Sequence, residues 1–148
     1  MDSIWEKLRH TAPQGGVFRL ENRLPYAPPA SDQSPYWYSL PEFKHIERRT
    51  LLQALAKTLQ FPDYFGGNWD AAYDCLTDRT WEAGAMVRID MHITAKAIVD
   101  EDSLTTLVEV MQDASRFWND QKVTLYFLLT CPRSDLIPLK SLPVLHLA

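Results

Sequence analysis

Two apolar strands separated by an amphipathic helix constrain this chain more than any other feature of its sequence. Residues 85–93 alternate, with Val87, Ile89, Met91 and Ile93 on one face and Arg88, Asp90 and His92 on the other. That period of two predicts a strand with one buried face, placed near a sheet edge. Leu104, Leu107, Val108, Met111, Ala114 and Trp118 then recur at helical spacing, behind Asp102 or Ser103 as the start signal. From Val123 to Leu129 the residues are almost all β-branched, aromatic or aliphatic, which predicts a more buried strand. Strands alternating with helices lead to an α/β layer fold with a small, mostly parallel sheet of about three strands.

Upstream, Leu51, Leu52, Leu55 and Leu59 give a second helix one apolar face, which ends before Pro62. A loop follows, Pro62-Asp63-Tyr64-Phe65-Gly66-Gly67, and Asn68 is a suitable N-cap for a helix over 69–77. The first forty residues are uneven. Asp2 or Ser3 is placed to cap a short helix from Ile4 to Arg9, before Pro13 and Gly15-Gly16. Val17 to Leu20 and Tyr36 to Leu40 are both candidate strands, and either could belong to the main sheet. Residues 25–35 contain four prolines and read as an extended surface loop. The tail from Pro132 is rich in Pro and Leu, with weak periodicity.

A chain of 148 residues suits one ordinary domain. Its formal charge of -4 and pI near 5.5 disfavour general affinity for nucleic acid or anionic membrane, both of which reward clustered Lys and Arg. With only Cys75 and Cys131 there is no disulfide framework and no four-cysteine zinc site. The first residues lack the basic, then apolar pattern of a signal peptide, and no segment is apolar over a membrane's thickness. The expectation is a reduced, cytoplasmic protein without a membrane contact.

Catalytic signatures are missing. There is no G-x-S-x-G, H-E-x-x-H or Gly-rich phosphate loop, and Gly66-Gly67 has no strand leading into it. Asp70, opening the helix that follows, would repel a phosphate. His10, His45, His92 and His146 are isolated in sequence, so neither a metal nor a cofactor is expected. Cys75 follows Asp74, whose charge opposes thiolate formation. Asp70 and Asp74 do stand out, since they lie four apart on one helical face beside Tyr73 and Thr77. Like charges at that spacing cost a helix roughly 0.2–0.5 kcal/mol. A glycosidase-like carboxylate pair is the enzymatic reading, but it requires a pocket that raises one pKa. The charge distribution supports protein binding instead. Between 61 and 82, Asp63, Asp70, Asp74, Asp78 and Glu82 face only Arg79, and this stretch alone carries the chain's net -4. Tyr64, Phe65, Tyr73 and Trp81 are interleaved with these acids. A convex acidic, aromatic element suits a basic cleft, such as a nuclease active site built to hold phosphates.

The segment Phe61-Pro-Asp-Tyr-Phe-Gly-Gly-Asn-Trp-Asp-Ala-Ala-Tyr-Asp-Cys-Leu-Thr-Asp78 resembles the central segment of barstar, the intracellular inhibitor of the ribonuclease barnase. The resemblance covers about 46–130 in element order. It implies a barstar-like three-layer α/β fold and inhibition by plugging a ribonuclease active site, with no direct nucleic-acid contact. It divides the chain into an N-terminal extension, 1–35, a barstar-like domain, 36–131, and a C-terminal tail packed on it, 132–148. Asp74 then matches the family's dominant carboxylate and Asp70 the second acidic contact. Tyr64, Asn68, Tyr73 and Thr77 match positions on the same loop and helix, and Asp113 matches a later acidic contact. Gly67, Asp78 and Arg79 depart from the pattern, Arg79 standing where a contacting tryptophan is usual and Trp81 substituting two residues later. The implied partner is a basic ribonuclease or nuclease toxin other than barnase, met by a monomer. The alternative is the same module retargeted to a partner that is not a nuclease.

Overall fold

The apolar run at 123–129 lies at the centre of a five-stranded, all-parallel sheet. In chain order the elements are α1 (Ser3–Thr11), β1 (Gly16–Leu20), β2 (Tyr36–Ser39), β3 (His45–Ile46), α2 (Arg48–Thr58), α3 (Trp69–Thr77), β4 (Met86–His92), β5 (Ile98–Val99), α4 (Glu101–Asp120), β6 (Thr124–Thr130), α5 (Ile137–Lys140) and β7 (Val144–Leu145). This computed structural model describes residues 3–22, 34–62 and 65–146. The main sheet runs β2-β4-β6-β1-β7, and β3 pairs with β5 in a small second sheet. The expected α/β class holds, but the main sheet has five strands instead of about three. Both N-terminal candidate strands belong to it, and the tail supplies β7. Asp2 and most of the proline-rich loop lie outside the described residues.

Side-chain alternation sorts the sheet's two faces. Val87, Ile89 and Met91 of β4, Leu125, Phe127 and Leu129 of β6, and Val17 of β1 join the larger core with α2, α3, α4 and α5. Ile89 and Val17 flank Phe127 in register. The opposite face carries Met86, Tyr126, Leu128 and Leu20, covered by Trp5, Leu8 and Ala12 from α1 and the residue after it. This gives three layers: α1, sheet, and the remaining helices.

The polar face expected for 85–93 is therefore not a solvated edge. β4 lies between β2 and β6, and Arg88 is fully buried. Its guanidinium centre lies 3.7 Å from the Trp37 ring centroid and 5.6 Å from that of Trp5, and it pairs with Asp90 at 2.8 Å. Period-two alternation reports polarity, and here aromatic rings and one carboxylate make burial of a cation tolerable. His92 completes that face with Nδ1 2.8 Å from the Thr130 hydroxyl.

Local chemistry sets the helix starts. Glu47 and Thr50 form a capping box at α2, and the Asp100 carboxylate accepts from Ser103 N–H at α4. Gly15 has no alternative, since a Cβ there would stand 2.4 Å from the Leu125 carbonyl oxygen. The small β3–β5 sheet ties the starts of α2 and α4 together, through Ile98 N–H to Lys44 O at 2.9 Å and Asp100 N–H to Ile46 O at 2.8 Å. Among the described residues no helix is long and apolar enough to cross a membrane.

Candidate protein-binding groove

The acidic loop and helix begin at a fixed corner. Gly67 has φ +68°, the left-handed region that favours glycine, and Arg48 Nη2 donates to its carbonyl at 3.4 Å. Asn68 Oδ1 accepts from Ala71 N–H at 2.8 Å, the expected N-cap. The role of Asn68 is thus first to start α3. From there Ala72, Cys75 and Leu76 are buried, while Asp70 and Asp74 are exposed and Tyr73 is half-buried. Burial pushes the Cys75 thiol up, and the charges of Asp74 and Asp78 push it further. That leaves it an inert core residue.

α4 packs alongside and is pinned to the end of α3. Trp118 Nε1 donates to the Leu76 carbonyl at 2.8 Å, and its ring lies 5.1 Å from that of Trp81. Between the two helices runs a groove of about 630 Å3. Trp69 and Tyr73 from α3 and Val110 and Phe117 from α4 line it, half-buried against the core. Asp70 and Asp74 line it from one helix, and Asp113, Arg116 and Asp120 from the other. The acidic element is therefore one wall of a groove, not a free convex ridge. The structure brings Asp113 together with Asp70, Tyr73 and Asp74, although 39 residues separate Asp113 from Asp74. No ion pair engages Asp70, Asp74 or Asp120 among the described residues.

The other expected contacts separate. Thr77 and Asp78 close α3: the Thr77 hydroxyl donates to Tyr73 O at 2.9 Å, and Asp78 is the exposed C-cap. Neither lines the groove. Trp81 is a correction. It is only 7% exposed, enclosed by Tyr36, Tyr38 and Trp118, so its ring serves the core and cannot substitute for a surface tryptophan. Arg79 is structural too, donating to the Leu59 carbonyl and to the Tyr38 hydroxyl, with its guanidinium 5.2 Å from the Trp81 ring. Tyr64 lies outside the described residues. Trp69, Val110, Arg116, Phe117 and Asp120 join the site only through the fold. Their signal was available, because 113, 116, 117 and 120 fall on one helical face and 69 and 73 on another.

The groove is open; among the described residues every lining carboxylate is exposed, and no histidine, cysteine or serine lines it. Among the described residues no three potential ligands converge to hold a metal ion. This surface offers charge and aromatic area to a partner. A family model described as Barstar (barnase inhibitor) matches residues 43–130, more than half of the chain. The chain belongs to the barstar family. A comparison with curated proteins finds no match. The barstar match contains both walls of the groove and the β4–α4–β6 unit beneath it, while α1, β1, β2, α5 and β7 lie beyond its ends. Barstar proteins are inhibitors, so the role that follows for this chain is binding another protein.

Proposed function

We propose that this barstar-family protein is a cytoplasmic immunity protein, the inhibitory half of a toxin–antitoxin pair. It plugs the active site of a basic ribonuclease or ribonuclease-like toxin with α3 and the loop before it. One observation carries the reading: exposed carboxylates from two helices converge on a single groove with half-buried aromatic walls, and most of them lack an internal cation. A cleft that binds RNA phosphates is lined by Lys and Arg, so it meets this surface with opposite charge. Asp74 and Asp70 stand where those phosphates would, Asp113 and Tyr73 extend the contact, and Asn68, Thr77 and Asp78 hold the helix ends beside it. Burial of Trp81, with Arg79 held to the Leu59 carbonyl, removes the aromatic contact usual next to α3, which supports a partner other than barnase.

The test is a panel of purified basic ribonucleases and ribonuclease toxin domains, assayed for RNA cleavage with and without the protein. At least one is expected to be inhibited at one-to-one stoichiometry, and Asp74→Asn is expected to restore cleavage. A tight partner that occupies the groove while its RNA hydrolysis continues would mean that the barstar module has been retargeted.

A further inference from the structure

Among the described residues, Arg116 is the only cation lining the groove. Its Nη1 lies 2.9 Å from Asp113 Oδ1, one turn away on α4, and the two side chains are 73% and 61% exposed. Asp120 follows one turn later, with Asp70 and Asp74 across the groove on α3. An exposed pair of this kind opens at little cost, so it is a weak explanation for the stability of α4. Its effect on a partner is larger. Three carboxylates are offered freely, while the fourth is matched from within the chain. A uniformly cationic surface seated on Asp70, Asp74 and Asp120 brings one of its cations against Arg116. Discrimination among similar basic partners needs such a repulsive element beside the attractive ones.

We propose that Arg116 is a specificity determinant of the groove. It rejects uniformly cationic surfaces and selects a protein that sets an Asp or Glu carboxylate against Arg116, between cations facing Asp74 and Asp120. The inference rests on the groove being the docking surface and concerns which basic protein it accepts.

Two peptides probe it at low salt by NMR titration of the full chain: nona-arginine, and the same peptide with its central residue replaced by Glu. Amide shifts are expected along α3 and α4. Nona-arginine should bind Arg116→Gln about threefold and Arg116→Glu about tenfold more tightly than wild type, the range of one and two exposed charge contacts. Arg116→Lys should match wild type. Arg49→Gln, which removes an exposed cation of α2 outside the groove, should match it within about 1.5-fold and so controls for net charge. Placing Glu at the peptide's centre should cost about threefold less affinity in wild type than in Arg116→Glu. Shifts along α3 and α4 with Arg116 variants no tighter than Arg49→Gln, or an equal cost of the central Glu, would overturn the assignment of Arg116 alone. Shifts confined to other elements would overturn the groove as docking surface, and this inference with it.

Discussion

Asp74→Ala separates what the groove binds from what holds it together. In the free protein Asp74 is exposed and unpaired among the described residues, with Asp70 one turn before it and Asp78 one turn after. Removing it relieves like-charge repulsion of about 0.2–0.5 kcal/mol per neighbour, less for Asp78 because it lies outside the helix. Alanine adds up to about 0.5 kcal/mol of helix propensity. The free protein should gain about 0.5–1 kcal/mol, and for a chain of this size Tm should rise by about 1–4 °C. In the proposed complex the sign reverses. Asp74 is then desolvated against cations, and truncating it leaves a buried charge uncompensated at about 3 kcal/mol or more. Affinity falls by about a hundredfold. Asp74→Asn keeps the size of the side chain and loses only the charge, so it should weaken binding similarly. Thermal unfolding by circular dichroism and titration calorimetry with the inhibited ribonuclease measure the two halves independently. A Tm lowered by several degrees together with unchanged affinity would refute the reasoning, because Asp74 would then be holding the fold.

Association with a basic partner should slow markedly as salt rises from low to physiological, since opposed charges steer the encounter, and stopped-flow rates across salt will show it. Trp118→Phe removes the hydrogen bond to the Leu76 carbonyl at the α3–α4 junction and should cost about 1–3 kcal/mol, read from urea unfolding. Gly67→Ala should cost about 1–2 kcal/mol through its left-handed backbone, although nothing crowds a Cβ there. The Tyr126 hydroxyl, donating to Ala12 O at 2.8 Å, is pushed up to about 12 by burial. Above pH 10 the unfolded chain ionises this tyrosine while the folded chain does not. Stability should therefore fall as pH rises from 10 towards 12, and Tyr126→Phe should flatten that part of the Tm profile.

The β4–α4–β6 unit and the α2–α3 pair were legible because their periodicities are long and are bounded by real caps. Asn68 caps α3 as its side chain suggested. What escaped was set by tertiary packing. Arg88 and Asp90 look like a solvated face until Trp5 and Trp37, more than fifty residues distant, are placed over them. Trp81 carries the same composition as a surface contact, and only the rings of Tyr36, Tyr38 and Trp118 place it inside. In the groove, α3 was readable as an acidic helix, but its other wall depends on how α4 crosses it. Asp113 was reached through family resemblance, whereas Arg116 and Asp120 needed the geometry.

The pairing of β1 with β6 also dictates when this protein acquires its binding groove. Gly16 lies opposite Tyr126 in the register, so the first strand made waits for almost the last. At about 5–20 residues per second, that wait on the ribosome is on the order of ten seconds. The acidic helix emerges midway, but α4, which forms the groove's second wall, and β6, on which α4 rests, follow much later. A chain stopped before residue 100 displays the carboxylates of α3 with nothing opposite them. Under the proposed function, protection against a nuclease is therefore delivered in one step, near the end of translation, and a cell that depends on it must hold finished inhibitor in reserve before the nuclease is active.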